Sequence, residues 1–223
     1  MATQTRLVEV RQKVLKQNDV VARAMRQRFH EAGVYVVSLV SSPGSGKTML
    51  LEKTLSLVRE AGHRVSALVG DLATDNDAQR LARSGAPVRQ ITTGTVCHLE
   101  ADMVEKALDG WNLAELDFLF VENVGNLVCP ASYDLGEDLR LVLFSVTEGE
   151  DKPLKYPTIF NTADLAVVTK IELAEAVGFD REAAYRNIRA VRPGMEILEV
   201  SAKSGQGMEA WGQFLLARRD RSR

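Results

Sequence analysis

Apolar and polar residues are ordered so that short β-branched runs alternate with longer amphipathic stretches. From Arg6 to Phe29 apolar side chains recur at helical spacing, at Leu7, Val10, Val14, Val21, Met25 and Phe29. Gln17-Asn18-Asp19 is the expected break or new N-cap within that stretch, and Gly33 its stop. Val34 to Val40 then reads as a buried strand, followed by an amphipathic helix to about Ala61. The alternation predicts strands at Val65 to Val69 and Val88 to Ile91, and helices around Asn76 to Arg83 and from about Val96 to Leu108. Phe118 to Val121, Leu139 to Val146 and Leu165 to Val168 are apolar at successive positions, as strands covered on both faces are. Ile197 to Val200 precedes a last helix from Met208 to Arg218. This is the pattern of an α/β fold with a mostly parallel central sheet flanked by helices. Residues 1–32 are expected to form a helical extension to a single domain spanning 1–223.

Composition narrows the function classes. The 28 Lys and Arg against 30 Asp and Glu leave a net charge of -2, without the basic field that nucleic-acid binding relies on. With 45% hydrophobic residues the chain can bury a substantial core. No apolar run approaches the length of a membrane span, and Met1 to Gln12 is polar, so a cytoplasmic protein is expected. Two cysteines, Cys97 and Cys129, make no disulfide framework and are expected to be free or metal-bound.

The strongest chemical signal follows the first strand: Ser41-Ser42-Pro43-Gly44-Ser45-Gly46-Lys47-Thr48, between strand and helix. Glycines let such a loop turn its N–H groups inward onto a phosphate that also meets the helix N-terminus, the arrangement of a P-loop NTPase. Pro43, Gly44, Ser45, Gly46 and Met49 are the expected cradle. Lys47 would reach the β- and γ-phosphates, and Thr48 would offer its hydroxyl to Mg²⁺. The first loop position, ordinarily Gly, is Ser41. Glu122, delivered by the strand from Phe118, is the expected carboxylate for the metal or its waters. Asp71, Asp75 and Asp77 follow another strand end and face the same edge. Any of the three, Asp71, Asp75 or Asp77, is a candidate for the metal or its water, with Asp75 equally suited to cap a helix. Asp117, at the far end of its strand, reads as a solvated turn residue.

Thr169-Lys170-Ile171-Glu172 has the shape of the guanine-reading Asn-Lys-x-Asp loop with two substitutions, and Ser201-Ala202-Lys203 that of the loop meeting guanine O6. The Glu172 carboxylate can accept from guanine N1 and N2. The simpler reading makes the first a strand end and the second a helix-entry turn. Cys97 and His98, expected at a helix start whose dipole would favour a thiolate, and Cys129 suit Zn²⁺ or Ni²⁺. By residue type alone the alternative is a buried Cys beside a hydrogen-bonded His. His30 and His63 read as surface or helix-end residues, and Trp111 and Trp211 as packing.

Taken together, these motifs resemble the metal-insertion GTPases of the SIMIBI class of P-loop proteins, and within them the HypB family. The resemblance runs from about Arg6 to Leu216. It rests on the Ser41–Thr48 loop, Gly70-Asp71-Leu72-Ala73-Thr74-Asp75-Asn76-Asp77, Cys97-His98-Leu99, Glu122-Asn123-Val124-Gly125-Asn126-Leu127-Val128-Cys129-Pro130, and the stretch from Ser145 to Pro157. It implies a GTPase that couples GTP binding and hydrolysis to nickel delivery during maturation of nickel–iron hydrogenase. It further implies GTP or GDP with Mg²⁺ at the loop, and Ni²⁺ or Zn²⁺ on Cys97, His98 and Cys129. The partners it implies are a second copy in a nucleotide- and metal-dependent homodimer, and a maturation partner such as HypA and the hydrogenase large subunit. The Cys-rich and His-rich tracts of some relatives do not occur in these 223 residues, so high-capacity nickel storage is not expected.

Three other functions fit parts of the pattern. A urease-type accessory GTPase ordinarily has Pro between the Cys and His that here adjoin. A small-molecule kinase would need a basic lid, for which Arg181 to Arg192 is the candidate, although its spacing is that of a solvated amphipathic helix. A metal carrier with a vestigial nucleotide site would explain Ser41, Thr169 and Glu172.

Overall fold

The computed structural model describes residues 2–72 and 76–222, with side chains from residue 12 onward. Asp75 and the side chains of Leu7 and Val10 therefore lie outside the described residues. Seven strands form one sheet, β1 Tyr35–Ser41, β2 Val65–Asp71, β3 Val88–Thr92, β4 Phe118–Glu122, β5 Leu139–Ser145, β6 Leu165–Thr169 and β7 Glu196–Val200. Every pairing is parallel, in the order β3-β2-β4-β1-β5-β6-β7. The α/β expectation holds, and each expected strand is present within a residue or two. The helices are α1 Ala2–Ala32, α2 Lys47–Glu60, α3 Asn76–Ala82, α4 Ala101–Ala107, α5 Lys152–Lys155, α6 Pro157–Thr162, α7 Arg181–Val191 and α8 Met208–Ser222.

The central strands are buried at nearly every position, as their unbroken apolar runs require. On one face, Leu51, Leu55 and Val58 of α2 meet Trp211 and Leu215 of α8 over Val37, Phe120 and Leu141. On the other face, Met25 and Phe29 of α1 and Val104 of α4 cover Val36, Leu68 and Leu119, while α6 and α7 cover Val142, Phe144 and Val168. Each such large apolar side chain contributes about 1.5–3 kcal/mol. Trp211 also donates its indole N–H to Thr54 Oγ1 at 2.8 Å, so its polar edge is satisfied in the core. Among the described residues no helix is long and apolar enough to cross a membrane.

Three expectations are corrected. The first helix runs unbroken through Gln17-Asn18-Asp19, because Asn18 is buried and uses its carboxamide for tertiary contacts instead of a cap. Its Nδ2 donates to Asp134 O and its Oδ1 accepts from Ala101 N, both at 2.8 Å. The helix expected from Val96 starts only at Ala101, since Glu100 is extended at φ -112 and ψ 156. Asp117 is buried rather than solvated, held by Arg64 and Arg219, which keep its carboxyl at about 2 against the burial that opposes ionisation.

Because the sheet is parallel, all strand C-termini share one edge. The Ser41–Thr48 loop leaves β1 there, flanked by the ends of β4 and β5, and Asp71, Glu122 and Thr169 end their strands on the same edge. Ligands of open α/β sheets bind at this edge, where the strand order reverses.

Candidate functional site

A cavity of about 550 Å³ opens at that edge. Its walls include Pro43, Gly44, Gly46, Lys47, Thr48 and Met49 from the loop, Asp71 and Glu122 from strand ends, and Lys170, Glu172, Ala202 and Lys203 from the far side. Ser45 and Ser201 are buried behind this surface instead. Ser201 accepts from Ser204 N and so shapes the loop that presents Ala202 and Lys203. Asp75 lies outside the described residues; Asp77 lines the cavity. The wall also holds Arg80, which sequence reasoning passed over; the guanidinium rests on Glu52 at 2.8 Å.

The loop is built around two left-handed glycines, Gly44 at φ 74 and Gly46 at φ 96, the second directly before α2. Ser41 takes the place of the usual first glycine for a visible reason. Its hydroxyl is buried, accepts from Lys47 Nζ at 3.0 Å and contacts Ser45 Oγ. The substituted guanine-type loop braces the phosphate loop in the same way. Thr169 Oγ1 donates to Ser45 O, and Lys170, itself left-handed at φ 58, donates to Gly44 O, both at 2.7 Å.

Thr48 Oγ1 donates to Glu122 Oε1 at 2.8 Å. The other carboxylate oxygen, Oε2, is buried with no hydrogen-bond partner. Burial pushes the Glu122 carboxyl up to about 7, opposed by Lys47 and Thr48, and the same burial lowers Lys47. A hydroxyl beside an unpartnered carboxylate oxygen is a donor set that fits Mg²⁺. Glu172 likewise faces the cavity with its Oε2 buried and unpartnered, an acceptor available to a base carrying N–H donors.

Cys97, His98 and Cys129 come together, with one ligand atom from each lying within 4.8 Å of the others. The two sulfurs are 2.8 Å apart. Cys97 and His98 sit in the loop before α4, not at its first turn, so no helix dipole acts on the thiol. Its pKa is raised, chiefly because it donates to Cys129. The His98 ring packs on Tyr133 with centroids 4.0 Å apart, and Glu100 Oε1 lies 3.3 Å from Nε2 but out of line for a hydrogen bond. Both ring nitrogens are buried without a hydrogen-bond partner, and burial holds the imidazole below its ordinary pKa, in the neutral form that ligates metals.

The segment Arg181–Val191 does not reach the cavity. It buries Ala184 and Ile188, and Arg181 and Arg186 pair with Glu199 and Glu182, as a solvated amphipathic helix does.

Comparison with known proteins places this architecture. Residues 35–199 match the family model for the CobW/HypB/UreG nucleotide-binding domain. The hydrogenase maturation factor HypB of Azotobacter chroococcum mcd 1 is 47% identical over 210 residues, 94% of this chain and 68% of that protein. The chain belongs to the HypB family. Among solved structures of HypB proteins, that of Helicobacter pylori in complex with nickel superposes with a TM-score of 0.86 at 41% identity, covering 92% of this chain and 96% of that one. The Archaeoglobus fulgidus HypB structure superposes at 0.84 with 39% identity, covering 92% and 99%. HypB likeness thus spans the cavity and the thiol–imidazole cluster together.

Proposed function

We propose that this chain is a GTP-hydrolysing nickel metallochaperone whose nucleotide state governs pairing of two copies and delivery of nickel during hydrogenase maturation. The observation that carries the reading is the placement of Cys97, His98 and Cys129 on the segments next to the nucleotide cavity, within a HypB chain. Nickel is the cargo, and two soft sulfurs with one neutral imidazole suit it, with Zn²⁺ as the competing ion. One chain supplies three such ligands, so a second copy would complete the shell across a two-fold axis. Val128, exposed beside Cys129, and Leu72, exposed beside the cavity, are apolar surface available to that copy.

At the cavity, inward N–H groups of residues 43–48 would hold the phosphates, Lys47 would neutralise their charge, and Thr48, Glu122 and Asp75 would hold Mg²⁺ or its waters. When bound, Mg²⁺ supplies charge neutralisation to the phosphates. Glu172 would accept from guanine N1–H and N2–H, while Lys170, Ala202 and Lys203 border the base. Binding of GTP would order the 71–77 and 122–126 segments and bring the two metal half-sites together; hydrolysis would loosen them. HypA and the hydrogenase large subunit are the proposed partners.

Turnover of GTP and ATP by the purified chain, with and without Mg²⁺, tests the enzymatic half. Mg²⁺-dependent phosphate release that prefers GTP and falls at least a hundredfold in Lys47→Ala is expected. Release of phosphate that is equal for both nucleotides, or absent, overturns the GTPase assignment.

A further inference from the structure

An eight-residue stretch, Glu122 to Cys129, runs from the nucleotide cavity to the thiol–imidazole cluster. On the cavity side it carries Glu122 against Thr48, and Gly125 against the phosphate loop, so close that a Cβ there would lie 3.0 Å from Pro43 Cα. On the cluster side two carboxamides reach across to the loop that bears Cys97 and His98. Asn123 is 2% exposed, and its Oδ1 accepts from Leu99 N at 3.0 Å and from Val124 N at 2.9 Å. Its own N–H donates to Leu39 O in β1, the strand that runs into the phosphate loop. Asn126 Nδ2 donates to Cys97 O at 3.2 Å, and its Oδ1 accepts from Val128 N, one residue before Cys129.

Leu99 is pinned a second time. Its side chain packs on Gly70 so tightly that a Cβ at Gly70 would fall 2.8 Å from it, and Asp71 comes next, at the cavity. The loop holding Cys97 and His98 is thus tied by short-range contacts to both strand ends that face the nucleotide. Neither carboxamide touches the cavity, and neither offers a ligand to the cluster.

We propose that Asn123 and Asn126 are the positioning residues that couple nucleotide state to metal affinity. A displacement of the 122–125 backbone on nucleotide exchange is converted by Asn123 into movement of Leu99 and the preceding His98. Asn126 converts the same displacement into movement of the Cys97 backbone relative to Cys129. The cluster then has two geometries selected by the nucleotide, which is what a coupling free energy between sites requires. This rests on the function proposed above.

The test is the ratio of nickel dissociation constants measured calorimetrically with Mg²⁺-GDP and with Mg²⁺ and a nonhydrolysable GTP analogue. It is measured for the full chain, Asn123→Ala, Asn126→Ala and Asn123→Asp. A role confined to folding or to holding the ligands would weaken both states alike and leave the ratio unmoved. The expected ratio for the unsubstituted chain is about five or more, falling close to one in both alanine variants. Asn123→Asp, which retains an acceptor for both N–H groups, keeps it. Asn126 is half-buried, so Asn126→Ala decides the matter should Asn123→Ala fail to fold. An alanine variant that keeps the full ratio overturns the inference alone. A ratio of one in the unsubstituted chain overturns nucleotide coupling itself, and this inference with it.

Discussion

Glu122 gives the sharpest quantitative handle on the cavity. Its carboxyl is 2% exposed and burial lifts its pKa from 4.5 to about 7. Between those values the folded chain holds a proton that the unfolded chain has released. The stability that proton contributes is fully present below about pH 4.5 and is lost as pH rises through 7. At about 1.4 kcal/mol per pH unit, the loss across the whole window is about 3.5 kcal/mol. Glu122→Gln removes the titration while keeping the size of the side chain and an oxygen to accept from Thr48 Oγ1. Urea unfolding of both proteins at pH 5 and pH 8 isolates the contribution of Glu122 together with its coupling to Lys47, because groups away from the cavity titrate alike in the two. The stability of the unsubstituted chain relative to Glu122→Gln is expected to fall by about 2.5 kcal/mol from the lower pH to the higher, part of the window lying below pH 5. A relative stability that shifts by less than about 1 kcal/mol would refute the claim that dry surroundings keep this carboxyl protonated. Ionisation is what Mg²⁺ requires, so the affinity for Mg²⁺-nucleotide carries the opposite sign: it weakens about tenfold for each pH unit below 7, and Glu122→Gln abolishes that slope.

Other contacts carry their own consequences. Arg219→Met removes a buried partner of Asp117 and is expected to cost about 2–4 kcal/mol in urea unfolding, with no change in nucleotide affinity. Asp117 is held ionised to about 2, so its contribution, present above its ordinary 3.8, is lost as pH falls through about 2; Asp117→Asn flattens that acid limb. Gly125→Ala drives a methyl against the Pro43 backbone and should weaken GTP-analogue binding at least tenfold while costing about 1–3 kcal/mol of stability, both readable by titration and thermal melting. Gly207→Ala puts a side chain at φ +75 and onto the Glu199 carbonyl; a loss of more than about 2 kcal/mol in denaturant unfolding is expected.

Most of the fold was legible in the sequence because its signals are local. Unbroken β-branched runs mark strands buried on both faces, and a glycine-rich loop between strand and helix marks its own position. The misreadings share one cause, tertiary contacts overriding local preference. Asn18 looks like a cap because nothing nearby in sequence reveals that Asp134 O and Ala101 N await its carboxamide. Asp117 looks solvated because Arg64 lies 53 residues earlier, just before β2, and Arg219 lies in the last helix. The helix expected from Val96 loses its first turn to the Asn123 contact at Leu99. In the candidate site, the residues around Lys47, Thr48 and Glu122 were legible as a motif. Arg80 was not, because an arginine inside a short amphipathic helix carries no mark that its face lines a cavity. The bracing roles of Ser41, Thr169 and Lys170 became visible only when the two loops stood side by side.

The central claim is that nickel sits between two copies of the chain and that the nucleotide governs its retention. Calorimetric titration of nickel into the purified chain, with Mg²⁺ and a nonhydrolysable GTP analogue present, reads its stoichiometry and its dependence on Cys97 at once. About one nickel for every two chains, held more tightly than with Mg²⁺-GDP and lost in Cys97→Ala, is the predicted result. Nickel binding that survives Cys97→Ala, or that is indifferent to the nucleotide, would contradict it.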